Sequence, residues 1–214
     1  MSKLEELAVA VEKGKSKLVG GLVEEALAEG NSPIDVLNKG MIDAMSVVGE
    51  KFKNNEIFVP EMLVAARAMK KGVEVLKPHL GTETSISIGK AVIGTVQGDL
   101  HDIGKNLVCL MIESAGFEVI DLGVDVPADK FVEAAADPEV KIVGVSALLT
   151  TTMPAMKATV EALNACPARA NFKVMVGGAP ITQEFCDQIG ADIYTEDGAS
   201  AANAAEKVLK AKIA

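Results

Sequence analysis

Apolar residues recur every three or four positions through the first eighty residues, the spacing of one helix face; beyond that point they collect into short continuous runs. Ser2 to Lys13 and Ser16 to Glu29 predict two short amphipathic helices. Asn31 or Ser32 caps a third, which opens with Pro33 in the favoured first turn and runs to about Lys53. A fourth starts near Val59, carries Pro60 in its opening turn and continues to Leu80. Together they predict a four-helix bundle occupying residues 1–85. The small, polar, aperiodic stretch "GTETSIS" (Gly81 to Ser87) is expected to be a linker.

After it, the β-rich runs "KAVIGTV", "FEVIDLG", "KIVGVSA", "KVMVGGA" and "ADIYT" alternate with helical stretches. These are Ile103 to Ala115, Pro127 to Ala136, Met153 to Cys166, Thr182 to Gly190 and Ala199 to Lys212. Strands apolar on both faces and separated by helices are most economically built as a parallel sheet covered on both sides. Residues 86–214 therefore predict an α/β domain, a doubly wound parallel five-stranded sheet of flavodoxin or Rossmann-like type in the order 2-1-3-4-5. In that order a ligand sits beyond the carboxyl ends of the strands, so chemistry should cluster after strands one, three and four. It does: strand one ends in "QGDLHDIG", strand three in "SALLTTT" and strand four in "GGAP", whereas "GVDVP" after strand two needs only to be a turn.

Composition narrows the function. A net charge of -9 with a pI near 4.8 excludes a nucleic-acid partner, which would call for clustered Lys and Arg. No secretion signal and no bilayer-length apolar run is present, so no membrane is expected and the cytoplasm is the default location. Cys109, Cys166 and Cys186 are odd in number and widely spaced, which supports neither a disulfide framework nor a zinc knuckle.

His101 is one of only two histidines. Asp99, two residues before it, can face the same way and accept a hydrogen bond from one ring nitrogen, leaving the other as a free lone pair. A carboxylate that fixes the tautomer in this way is the usual support of a metal-bound histidine. Hydroxyls at Ser146, Thr150, Thr151 and Thr152 could extend the chain of hydrogen bonds behind Asp99, and one of them is expected to cap the helix that begins at Met153. Zinc needs three or four protein ligands, and none of the other candidates lies near this loop. A single axial histidine instead suits a metal whose remaining ligands come from a macrocycle, a haem or a corrinoid. Haem normally lodges among aromatics, and the chain has six Phe, one Tyr and no Trp. Gly98, Gly104 and the pair Gly177-Gly178 suggest backbone brought close to something large and flat, or to a tail slotted along the sheet.

These residues resemble a known family. Asp99-Leu100-His101-Asp102-Ile103-Gly104 fits the D-x-H-x-x-G signature of cobalamin-binding domains, Ser146-Ala147-Leu148 the accompanying S-x-L, and Gly177-Gly178 the later G-G. Gly40 to Met69, "GMIDAMSVVGEKFKNNEIFVPEMLVAARAM", resembles the cap domain of the corrinoid proteins of methyltransferase systems, the two-domain unit also found inside cobalamin-dependent methionine synthase.

The resemblance implies a cobalamin, as methylcobalamin or a related corrinoid, whose cobalt takes His101 as lower axial ligand in place of the dimethylbenzimidazole base. It implies that Asp99 bonds the other ring nitrogen and that Thr152 stands where methionine synthase completes its triad with Ser. Gly98, Leu100, Asp102, Ile103 and Gly104 would complete the loop at the cofactor, while Ser146, Leu148, Thr150, Gly177, Gly178 and Ala179 would line the slot of the displaced nucleotide tail. Some of Met41, Met45, Val48, Phe52, Pro60 and Met62 would shield the methyl group. The implied function is that of a methyl carrier, inactive on its own. It would accept the group from a substrate-specific corrinoid methyltransferase and deliver it to a second methyltransferase that uses tetrahydrofolate or coenzyme M, with a reductive activator as a further partner. Two rivals fit less well. A small hydrolase or mutase would use Asp99, His101 and Asp102 as an acid-base cluster, and the mutase would need a further catalytic domain; a nucleotide binder or phospho-receiver would lack the G-x-G-x-x-G loop or the Asp after strand three.

Overall fold

A computed structural model describes residues 2–79 and 89–213. The chain forms two compact units, Met1–Ile86 with Glu113–Gly116, and Ser87–Ile112 with Phe117–Ala214. The expected linker Gly81 to Ser87 and the expected helix end at Leu80 lie outside the described residues.

In the first unit, α1 (Lys3–Glu12) begins at a reciprocal cap: the Glu5 N–H donates to the Ser2 hydroxyl, and the Ser2 N–H to the Glu5 carboxylate. α2 (Ser16–Ala28) is followed by Asn31, whose side-chain amide donates back to the Ala26 carbonyl. Ser32, and not Asn31, caps α3 (Pro33–Leu37) by accepting from the Asp35 N–H at 3.1 Å. The third helix is not continuous. A π turn at Asn38–Ile42 separates α3 from α4 (Asp43–Lys53), with the Asp43 N–H reaching back five residues to the Asn38 carbonyl. Gly40 lies within this turn, and a Cβ there would lie 2.7 Å from Leu7 Cδ2, so the chain passes close to α1 at this point. α5 (Val59–Leu76) gives way to a 3-10 turn at Lys77–His79, because Pro78 has no N–H and disfavours α-helix in the residue before it. Met41, Met45, Val48 and Met62 are buried, Phe52 is half-buried and Pro60 is exposed. Most of the expected shielding set therefore serves as core.

The second unit is a parallel sheet, β1 (Lys90–Thr95), β2 (Glu118–Asp121), β3 (Val140–Ser146), β4 (Lys173–Gly177) and β5 (Ile193–Tyr194), ordered 2-1-3-4-5 as the pattern predicts. β1, β3 and β4 are buried over most of their length, while the edge strands β2 and β5 are only partly covered. The connections are α6 (Ile103–Ser114), α7 (Ala128–Ala135), α8 (Met153–Ala165) and α9 (Gln183–Ile189), and α10 (Gly198–Ile213) follows β5. The core on one side joins Val92, Phe131, Val143, Val145, Met156, Val160, Leu163, Val174 and Val176.

Register sets what faces the site. Ile93 pairs with Gly144 and Gly144 with Met175; two residues on, Thr95 pairs with Ser146 and Ser146 with Gly177. Residues paired across parallel strands share a face, and so do residues two apart. Gly144 therefore stands in the middle of the first row and Gly177 at the β4 end of the second, leaving a trench across the sheet near its carboxyl edge. Among the described residues no helix is long and apolar enough to cross a membrane.

Candidate cofactor site at the carboxyl edge of the sheet

The loop from β1 to α6 folds back on Asp99, which is fully buried. Its Oδ1 accepts from the His101 N–H at 3.1 Å and lies 2.8 Å from His101 Nδ1. Its Oδ2 accepts from the Leu148 N–H at 2.8 Å and the Leu149 N–H at 3.4 Å, with the Thr152 hydroxyl 2.8 Å away. Burial by itself pushes this carboxyl up. The Leu148 amide, the ring and amide of His101 and the Thr152 hydroxyl outweigh it and hold Asp99 well below the usual carboxylate range. Asp99 is thus ionised and can only accept, so Nδ1 of His101 must carry the shared proton. With the Nδ1 proton shared in this way, the ring nitrogen available to a metal is Nε2.

The His101 side chain is half exposed, and its carbonyl accepts from the hydroxyl of the buried Thr95 at 2.9 Å. Around it stand apolar side chains that water would ordinarily exclude: Leu100 is 72 % exposed and Ile103 86 %, with Leu148 and Leu149 near 40 %. Beside them a cavity of about 620 Å3 opens over the glycine trench. Leu100, His101, Asp102, Ile103, Gly104, Ser146, Leu148, Gly177, Gly178 and Ala179, all anticipated from the sequence, line it.

Gly178 holds the turn after β4 at φ +133°, and a Cβ there would lie 1.8 Å from the Ala147 carbonyl oxygen, so no other residue fits. Gly98, Asp99 and Thr152 are not part of the lining; Asp99 and Thr152 are buried, and Gly98 is exposed. Thr150 is exposed at the start of a 3-10 turn and is not part of the cavity wall. Thr152 occupies the N-cap of α8, but its hydroxyl makes no capping bond and faces Asp99, which overturns the expected capping role. Asp102 starts α6, where its carbonyl and carboxylate accept from Asn106.

Other residues of this site escaped the sequence reading. Ile93, Leu107, Gly144 and Met175 line the inner part of the cavity, and Thr195 to Gly198, after β5, close one side. The signal for the second group was present, since β5 is the neighbour of β4 in the predicted order. Lys105 is the other omission. Its side chain is 2 % exposed and its Nζ lies 2.5 Å from both carboxylate oxygens of Asp121, tying the first turn of α6 to the end of β2.

The donor set fits a corrinoid. Among the described residues no group of three or more His, Cys, Asp or Glu could hold a metal ion, so a metal at His101 must bring its other ligands with it. The exposed apolar rim suits a flat macrocycle, and the glycine-floored cavity suits a tail.

A doubly wound α/β unit with a single carboxylate-braced histidine at its switch point defines a cofactor-binding protein, and comparison with known proteins specifies the class. The family described as "B12 binding domain" matches residues 89–206, and a second family of the same description matches residues 3–77. Dimethylamine corrinoid protein 1 of Methanosarcina acetivorans is 45 % identical over 210 residues, covering 98 % of this chain and 95 % of the relative. The crystal structure of a cobalamin-binding protein from Desulfitobacterium hafniense superposes with a TM-score of 0.74 at 32 % identity, covering 96 % and 98 % of the two chains. A chain of the methanol:cobalamin methyltransferase complex from Methanosarcina barkeri superposes with a TM-score of 0.77 at 30 % identity, covering 97 % of this chain and 80 % of that one. The chain belongs to the methyltransferase-cognate corrinoid proteins, and its cofactor is a cobalamin or related corrinoid.

Proposed function

We propose that the protein is a methyl carrier that accepts a methyl group from a substrate-specific methyltransferase and yields it to a second one, whose acceptor is a tetrahydrofolate or coenzyme M. The bound corrinoid supplies, at cobalt, the centre on which the group travels. The chain supplies the rest. His101 is the lower axial ligand, Asp99 holds its tautomer and orientation, and Thr152 steadies the far oxygen of Asp99. Ser146, Leu148, Gly177, Gly178 and Ala179 hold the nucleotide tail in the cavity, with Leu100, Ile103 and Gly104 at its mouth. On its own the protein turns over nothing, and a reductive activator is its third partner.

The observation that carries this reading is the imidazole pinned through Nδ1 by a buried, ionised carboxylate beside a cavity that the sheet leaves open. The relatives support it, being named for trimethylamine and dimethylamine systems.

The test uses apo-protein reconstituted with hydroxocobalamin and reduced to divalent cobalt. Electron paramagnetic resonance should show splitting by one nitrogen, changing from a triplet to a doublet when the histidines are labelled with nitrogen-15. His101→Ala should bind the corrinoid yet lose the nitrogen-15 doublet, any splitting left coming from the cofactor's own unlabelled base. A protein left colourless after reconstitution, or a nitrogen-15 doublet that persists in His101→Ala, overturns the assignment.

A further inference from the structure

The turn after β2 reads in the sequence as a plain connection, yet it grips the His101 loop. Oδ1 of Asp125 accepts from the Gly98 N–H at 2.7 Å, and the Asp125 N–H donates to the Asp99 carbonyl at 3.0 Å. One residue on, Val126 forms a parallel bridge with Val96, and its N–H donates to the Thr95 carbonyl at 3.0 Å.

Asp125 holds φ +54°, a left-handed conformation that residues other than glycine rarely adopt. The side chain is exposed, so it adds nothing to the hydrophobic core. An exposed turn residue with no other duty has no reason to keep a strained backbone, and such outliers gather where surrounding structure needs a particular shape. Gly98, the partner of the Asp125 carboxylate, is itself at φ +83°, and the peptide that follows it carries Asp99. Without a hold at that N–H, the loop immediately before its key carboxylate is tied on the amide side only by the Asp99 N–H, which donates to the Val96 carbonyl at 3.1 Å.

We propose that Asp125 is a positioning residue for the axial histidine. Its carboxylate and its own amide bracket Gly98 and Asp99, so the Asp99 carboxylate, and through it the His101 ring, is presented in one orientation. This rests on His101 being the cobalt ligand. Removing supports of this kind typically lowers metal affinity by about ten- to a hundredfold.

Two variants separate positioning from general stability. Asp125→Gly relieves the backbone strain but deletes the acceptor, whereas Asp125→Asn tolerates the left-handed backbone and keeps an oxygen at the same place. In the corrinoid-loaded protein with divalent cobalt and nitrogen-15 histidine, the ratio of doublet-split signal to the remainder should fall about tenfold in Asp125→Gly. It should stay near the wild-type value in Asp125→Asn, with both variants melting within about 4 °C of wild type. In the apo-protein labelled with nitrogen-15 histidine, which has only His79 and His101 to resolve, the His101 Nδ1–H resonance should broaden or be lost in Asp125→Gly alone. An unchanged ratio in Asp125→Gly overturns the proposal, as does an equal fall in both variants. Absence of nitrogen splitting in the wild type would instead refute His101 as ligand, while the apo-protein resonance would still report on the Asp125 clamp.

Discussion

The Thr152 hydroxyl lies 2.8 Å from Oδ2 of Asp99, a contact that spans fifty-three positions of the chain and is buried. The same hydroxyl is 2.9 Å from the Leu149 carbonyl, so its one proton serves two acceptors. Threonine suits this place because its methyl group packs while its hydroxyl answers a charge. Thr152→Val keeps the shape and deletes the donor, leaving Oδ2 to the amides of Leu148 and Leu149. Hydrogen bonds to charged groups are worth about 1.5–3 kcal/mol, so the apo-protein should lose about 2 kcal/mol of stability, measured by urea unfolding. Thr152→Ser should lose less than half of that.

Stability should depend on pH through Asp99. Burial works to raise its pKa, but the bonds from Leu148, His101 and Thr152 win, and the native carboxyl lies below its unfolded value of about 4. A depressed native pKa means the unfolded chain takes up the proton first. The contribution is therefore complete above about pH 4 and is lost as pH falls from there through the lower native value. Asp99→Asn has no such proton to lose. The difference in urea midpoint between wild type and Asp99→Asn should be widest near neutrality and shrink below about pH 4; a constant difference would show that Asp99 is not ionised in the native state.

Lys105 and Asp121 should respond unequally to removal. The Lys105 side chain is 2 % exposed, whereas that of Asp121 is 40 % exposed. Lys105→Met leaves a carboxylate that water can reach and should cost about 1 kcal/mol. Asp121→Ala strands a buried ammonium and should cost about 3 kcal/mol or more. Thermal unfolding of the two apo-variants compares them directly, and equal losses would mean that Lys105 finds water or another partner.

Much of the site was legible because its chemistry is local. Asp99 and His101 sit two apart, so their contact needed no knowledge of the fold. Strand order followed from apolar runs that only a doubly covered sheet can bury, and it brought the loops after β1, β3 and β4 together. What escaped were contacts made across the chain. Asp125 sits in "GVDVP", which reads as a plain turn; its role appears only when β2 lies beside β1 and the turn meets Gly98. Lys105 and Asp121 look like two surface charges until α6 and β2 place them sixteen positions apart at one point in space. Thr150, Thr151 and Thr152 are equivalent in the sequence, and the 3-10 turn aims only the last at Asp99.

The π turn at Asn38–Ile42 belongs with these. Helical periodicity carries across it, and the close passage of Gly40 by Leu7 within it is a distance no local pattern encodes.

By itself, the order of residues determined the alternation of strands and helices, the sheet topology and the carboxylate-histidine pair, since each depends on periodicity or on neighbours a few positions apart. Tertiary structure alone decided which hydroxyl backs the carboxylate, which turn clamps the loop and how far the glycine trench opens. Those depend on register and close packing between segments that meet only after folding, where a shift of a single residue would bring different atoms into contact.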